Sequence, residues 1–202
     1  QRSFTWIDRN GKMTDVRFHQ AAYFDQSLSP NDKQFAFHED EHIWIGDVER
    51  ETKVKFTGDE TKEWAPIWTP DGKRIISSSH TDTGAFSLVA RNVDGRAMEV
   101  LKSGILTAWP NSVSPNGRLL AYTEISGKTA GDMMILSLVG QRKDEPFLVT
   151  PSQEWNPMFS PDGHWIAFNS DESGAVEVYV AQYPASGGKV LISDEGGYEP
   201  RW

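Results

Sequence analysis

Apolar residues recur along this chain in short runs that alternate with polar ones, and the runs are separated by clusters of Pro, Gly, Asn and Asp. Alternation of period two predicts strands with two distinct faces. No segment carries a long apolar stripe at 3.6-residue spacing, so very little helix is expected. The runs fall into a repeating order. Four turn motifs punctuate it: Ser29-Pro30-Asn31-Asp32-Lys33, Thr69-Pro70-Asp71-Gly72-Lys73, Ser114-Pro115-Asn116-Gly117-Arg118 and Ser160-Pro161-Asp162-Gly163-His164. Their prolines are 40, 45 and 46 residues apart (70−30, 115−70, 161−115). In each motif Pro fixes φ at the second turn position, Asp or Asn caps the turn locally, and Gly accepts the left-handed position. The first copy lacks Gly and must rely on Asn31 and Asp32, which tolerate that region better than most residues.

Each motif sits between a short first strand, such as Pro66-Ile67-Trp68 or Pro157-Met158-Phe159, and a longer run, such as Leu119-Leu120-Ala121-Tyr122 or Trp165-Ile166-Ala167-Phe168. A third strand follows (Ile43 to Ile45, Phe86 to Val89, Met134 to Leu138, Val176 to Val180), then a fourth (Lys53 to Phe56, Ala97 to Leu101, Pro146 to Val149, Lys189 to Ile192). Four strands per unit at this period are the mark of propeller blades. The predicted fold is an all-β propeller of four-stranded antiparallel blades forming one domain over 1–202, with blades near 20–57, 64–102, 109–150 and 155–193. The N-terminal residues 1–18, with an Asn10-Gly11 turn, read as the third and fourth strands of a further blade, and 197–202 read as a first strand. Zipping the two together would give a fifth, composite blade, lacking its second strand, that closes the ring and hides sheet edges. The alternative is a piece of a six- to eight-bladed ring.

Composition narrows the function. The 202 residues carry 29 Asp and Glu against 20 Lys and Arg, a net charge of −9. Such a chain repels phosphate backbones, and no basic stripe offsets that, so a nucleic-acid partner is not expected. No apolar run approaches a bilayer span, so no membrane insertion is expected. The absence of Cys removes disulfides, thiolate catalysis and Cys-ligated zinc. The chain opens Gln1-Arg2-Ser3-Phe4, without an initiator Met or an apolar leader, and reads as trimmed or partial.

The Ser-Pro-Asp-Gly-x-x-Ile-Ala-Phe pattern, best seen from Ser160 to Phe168, resembles the TolB-like, WD40-like propeller repeat of bacteria. Asp171-Glu172-Ser173-Gly174, Glu177 to Val180, Gly196 to Trp202 and Thr5 to Gly11 are similar to propellers found C-terminal to bacterial transmembrane Ser/Thr kinases. The resemblance implies a periplasmic or otherwise extracytoplasmic module for protein contact or sensing. It supplies no catalytic residues and no cofactor. Departures at Asn31-Asp32 and at Ser77-Ser78-Ser79 put the regularity of individual blades in question. No His-Arg-Asp, Asp-Phe-Gly or Gly-rich kinase loop is present.

Candidate chemistry is sparse. His38-Glu39-Asp40-Glu41-His42 matches the H-E-x-x-H zinc pattern, but that pattern works only on a helix, and here it lies between two strand-like runs. It reads as a hairpin turn, and no metal is assigned. No Gly-x-Ser-x-Gly elbow or phosphate loop occurs. Ser77-Ser78-Ser79-His80 puts His beside serines, but strand alternation separates their faces. One feature recurs: an aromatic near each first strand, at Tyr23, Trp64, Trp109, Trp155 and Tyr198, with carboxylates at Asp25, Glu63, Glu154 and Glu199. These nine residues form a candidate collar at the channel mouth for a peptide or cationic group; the competing role is packing between blades. The predicted function is a non-catalytic module for a protein or peptide partner. The alternative is a substrate-gating or accessory domain of a hydrolase, or a small-molecule site at the channel mouth.

Overall fold

The computed structural model describes the chain apart from residues 1, 9, 22–23, 82–85, 96, 126–130 and 186. The described residues form eighteen strands, and among them there is no helix long and apolar enough to cross a membrane. A two-stranded N-terminal sheet pairs β1 (Arg2–Ile7) with β2 (Met13–Ala21). Four sheets of four strands follow. Blade 1 holds β3 (Phe24–Leu28), β4 (Gln34–Glu39), β5 (His42–Asp47) and β6 (Thr52–Lys55). Blade 2 holds β7 (Lys62–Trp68), β8 (Arg74–His80), β9 (Phe86–Asn92) and β10 (Met98–Ile105). Blade 3 holds β11 (Thr107–Val113), β12 (Leu119–Ile125), β13 (Asp132–Ser137) and β14 (Asp144–Leu148). Blade 4 holds β15 (Glu154–Phe159), β16 (Trp165–Ser170), β17 (Glu177–Gln182) and β18 (Lys189–Leu191). Within each blade the strands pair antiparallel in chain order, as a meander.

The turn motifs join the first two strands of every blade by one device. Ser29 and Ser160 donate a hydroxyl hydrogen bond to Asn31 and Asp162 at 2.8 and 2.6 Å, and accept the amide of Gln34 and Trp165 at 2.9 and 3.0 Å. The left-handed position falls to Gly72, Gly117 and Gly163, at φ +68, +72 and +74°. In blade 1 Asp32 takes it, at φ +59°. The missing glycine therefore costs some strain and leaves the turn intact. The serine run is equally regular: Ser77, Ser78 and Ser79 are buried in the middle of β8, and Ser77 hydrogen-bonds Glu63.

The hydrophobic core is divided among the junctions. One cluster joins Ile76, Leu88 and Leu101 of blade 2 to Leu120, Tyr122 and Leu136 of blade 3. A second joins Ala121, Met133 and Ile135 of blade 3 to Ile166, Phe168 and Tyr179 of blade 4. A third joins Ala36, Ile43 and Ile45 of blade 1 to Trp68 and Ile75 of blade 2. Alternation along β12 explains the split: Leu120 and Tyr122 face one neighbour while Ala121 faces the other. The second strands are thus buried on both sides, and burying each large apolar side chain there contributes about 1.5–3 kcal/mol. Backbone contacts reinforce the junctions. Trp68 Nε1 donates to the Ser27 carbonyl at 3.1 Å, and the Phe159 amide donates to Ser112 Oγ at 3.1 Å.

The N-terminal hairpin forms as its Asn-Gly turn implies, with Gly11 at φ +80° donating to the Asp8 carbonyl at 3.0 Å. Residues 197–202 form no strand, and β1 and β2 have no third strand hydrogen-bonded to them among the described residues. In the other blades a first strand is held by its own second strand, and among the described residues no strand pairs with 197–202 in that way. The segment instead lies along blade 4. Asn169 Nδ2 donates to the Gly197 carbonyl at 2.8 Å, the Glu199 amide to Asn169 Oδ1 at 3.1 Å, and Trp202 Nε1 to the Met158 carbonyl at 2.9 Å. The last contact repeats the one Trp68 makes to the preceding blade.

Candidate binding site at the propeller axis

The first strand of each blade slips register near its middle: between Phe24 and Ser27, Trp64 and Ile67, Pro110 and Ser112, and Trp155 and Met158. At this bulge Asp25, Ala65 and Asn156 adopt left-handed φ of +50, +49 and +56°, and Glu199 does the same in the C-terminal segment at +49°. In blade 3 the equivalent residue is Pro110, whose ring forbids positive φ. Bulges re-aim side chains, and here all five positions border one cavity of about 280 Å³. Asp25, Asn111, Asn156, Glu199 and Arg201 give it a polar wall. Two carboxylates against one guanidinium leave that wall net acidic.

A hydrogen-bonded relay fixes the amides. Thr123 Oγ1 donates to Asn111 Oδ1 at 2.9 Å, Asn111 Nδ2 to Asn156 Oδ1 at 3.3 Å, and Asn156 Nδ2 to Asn169 Oδ1 at 3.4 Å. Asn169 in turn holds Gly197 and Glu199. The relay therefore couples blades 3 and 4 to the C-terminal segment, and the Glu199 carboxylate is carried on an anchored backbone.

A second cavity of about 370 Å³ adjoins the first, since Trp109 and Asn156 border both. Trp155, Thr123, Ile125, Gly131 and Gln153 complete its wall among the described residues, and none of these is ionisable. The pair of cavities offers an acidic axial chamber beside a slot between two indoles.

The nine expected collar residues separate into groups. Asp25, Trp109 and Glu199 border the axial cavity, and Trp155 borders the adjoining slot. Tyr198 is exposed beside Glu199. Tyr23 lies outside the described residues. Trp64 wedges between blades 1 and 2, its ring 4.7 Å from His80, 5.9 Å from His38 and 6.2 Å from Phe86. Glu63 and Glu154 are fully buried within their own blades, because neighbours along a strand project to opposite faces. Glu63 accepts Arg91 Nε and Nη2 at 2.9 and 2.6 Å, Ser77 Oγ at 2.6 Å and Thr61 Oγ1 at 3.0 Å. Glu154 has no such guanidinium. Thr150 donates to its Oε1, its Oε2 is buried without a partner, and burial pushes its carboxyl above the usual range. The polar residues the collar omitted are Gln26, Asn111, Asn156 and Arg201; spacing from the turn prolines marks the Asn156 and Glu199 positions, but nothing local marks which of them face the axis.

The His38–His42 pattern is a hairpin. Glu39 pairs with His42 across it, and Asp40 and Glu41 turn the chain with φ of +50 and +65°. The two imidazoles belong to different strands, β4 and β5, and do not share a helical face. Among the described residues no three His, Asp or Glu side chains are grouped to hold a metal.

No family model matches the chain. Over 76 residues, 38% of the chain, it is 34% identical to the Tol-Pal system protein TolB of Gluconobacter oxydans, and that match spans 16% of the longer protein. The putative TolB of Agrobacterium tumefaciens superposes on 95% of the chain with a TM-score of 0.85 at 20% identity; 69% of that protein is covered. TolB of Acinetobacter baumannii superposes on 94% with a TM-score of 0.79 at 19% identity, with 48% covered. An oligogalacturonate lyase in complex with manganese superposes on 90% with a TM-score of 0.69 at 12% identity, with 56% covered. The four meander blades, their junction cores and these superpositions together show that the chain has the TolB-like β-propeller fold.

Proposed function

We propose that this chain is a non-catalytic interaction module, related to TolB and extracytoplasmic, that grips a segment of a protein partner at the mouth of the axial cavity. The observation that carries this reading is the repeated strained bulge. Three first strands and the C-terminal segment hold non-glycine residues at left-handed φ, each aimed at the same cavity. Left-handed non-glycine backbone costs about 1–2 kcal/mol per residue, and such strain clusters where ligands are held. The net acidic wall favours a cationic group in the axial chamber, and the neighbouring indoles add cation–π attraction and apolar surface for the stem of the same side chain. A sensor role within a larger envelope protein, such as one carrying a kinase domain, is the finer form of the same reading.

The test is selection of peptides from a random displayed library on the wild-type protein. Enriched sequences should carry Lys or Arg, and their affinity should fall at least tenfold in a triple variant, Asp25→Asn, Trp109→Ala and Glu199→Gln, that melts at the wild-type temperature. Peptides that bind wild type and triple variant equally would refute the axial site.

A further inference from the structure

A second, independent site lies among the turns of the four blades. A methyl group placed on Gly72 of blade 2 would lie 3.9 Å from Pro30 Cδ of blade 1, and one on Gly163 of blade 4 would lie 3.4 Å from Pro115 Cδ of blade 3. The turns of those blades lie within one methyl group of each other. At the junction between blades 2 and 3 the equivalent position, Gly117, has nothing within 4 Å. A cleft of about 500 Å³ opens there, between Pro70 and Asp71 on one side and Pro115 and Asn116 on the other. That volume lies within the range of built ligand sites. The junction itself is well packed, since Ile76 at the floor is buried in the shared core of blades 2 and 3. The opening is therefore confined to the turn edge and is not a general failure of packing.

The lining has two characters. Ile76, Leu138 and Val139 make an aliphatic wall, and Val139 is exposed. Arg74 and Asp71 supply opposite charges on the blade 2 side. Arg74 is fixed by one end: its Nη2 donates to Glu99 at 2.5 Å, and Arg142 clamps Glu99 from blade 3. Its Nε is buried without a partner, but the side chain is 29% exposed and only one outer N–H is used by Glu99, so further outer N–H groups remain to donate. Asp71 is held by Thr69 Oγ1 and the Lys73 amide, which keep its carboxyl below the usual range and leave a fixed acceptor at the rim. A balanced donor and acceptor beside an aliphatic wall match a peptide backbone with one aliphatic side chain, and give a net-charged ligand no advantage.

We infer that the cleft between blades 2 and 3, on the edge formed by the turn motifs, binds an uncharged peptide segment anchored by a Leu or Val side chain. The segment lays its side chain on Leu138 and Val139 and offers a carbonyl to Arg74. This inference does not rest on the axial reading.

Titration of the whole chain with acetyl-Gly-Leu-Val-Gly-amide, followed by amide chemical shifts, tests it. Shifts are expected at Thr69, Gly117 and Val139. The same peptide with Asn and Asp in place of Leu and Val should bind at least fivefold more weakly. Val139→Arg, at an exposed position, should abolish the shifts while the rest of the spectrum stays native, and Arg74→Gln should weaken binding at least threefold. Three results would each overturn the inference: no shifts at millimolar peptide, equal binding of the polar peptide, or equal binding of octanoate, which would make the cleft a greasy slot without a peptide preference.

Discussion

Removing Arg91 tests whether the buried carboxylate of blade 2 depends on its guanidinium. Glu63 has no solvent exposure, and Arg91 reaches it through two N–H groups at 2.9 and 2.6 Å. In Arg91→Leu the carboxylate keeps only two hydroxyl donors, Ser77 and Thr61. Breaking a buried pair by deleting one partner costs about 3–5 kcal/mol, because the remaining charge is uncompensated. Unfolding entropy of about 2.1 cal/mol/K per residue gives roughly 0.4 kcal/mol/K over 202 residues, so the melting temperature should fall by about 7–12 °C. Urea titration read by tryptophan fluorescence measures the loss, and an unchanged m-value confirms that it arises in the folded state. Adding Glu63→Gln should restore most of the stability, since a neutral amide can use both hydroxyls. A loss below about 1 kcal/mol, or a double variant as unstable as the single one, would show that the pair does not work as described.

Glu154 should behave in the opposite sense. Burial raises its folded carboxyl above the unfolded value, so its penalty is absent at low pH, where both states are protonated, and grows as pH rises through the folded value. Glu154→Gln should therefore gain about 1 kcal/mol at pH 8 and little at pH 4, measured by urea midpoints across pH. Asn169→Leu should free residues 197–202, read as at least tenfold faster amide hydrogen exchange at Gly197 and Glu199, with the blade 1 and blade 2 amides unchanged. Gly163→Ala and Gly117→Ala should each cost about 1–2 kcal/mol in thermal melts, because both turns need left-handed φ; no loss at either would deny the left-handed turn position.

The blade plan is legible in the sequence because its turns are chemically explicit. Pro at one position, an Asx cap and a left-handed acceptor reappear four times, and even the copy without glycine obeys the rule through Asp32. The candidate site is less legible for two physical reasons. Adjacent strand residues face opposite ways, so pairing Glu63 with Trp64 or Glu154 with Trp155 could not place both members at the axis. The bulges that turn Asp25, Ala65 and Asn156 inward carry no glycine to announce their left-handed backbone; tertiary contacts impose it. The C-terminal segment was readable as a first-strand equivalent through Trp202, whose indole bond matches that of Trp68.

Because the apolar cores lie at the seams, blades 2 and 3 each share two of them with their neighbours, and blades 1 and 4 one each, among the described residues. A lesion in one seam, such as a truncated Leu120 or Phe168, should loosen two sheets at once and leave the far side of the array intact. Insertion or loss of a single strand would expose a seam on each flank, so lengthening or shortening such a protein is tolerable only in whole-blade steps.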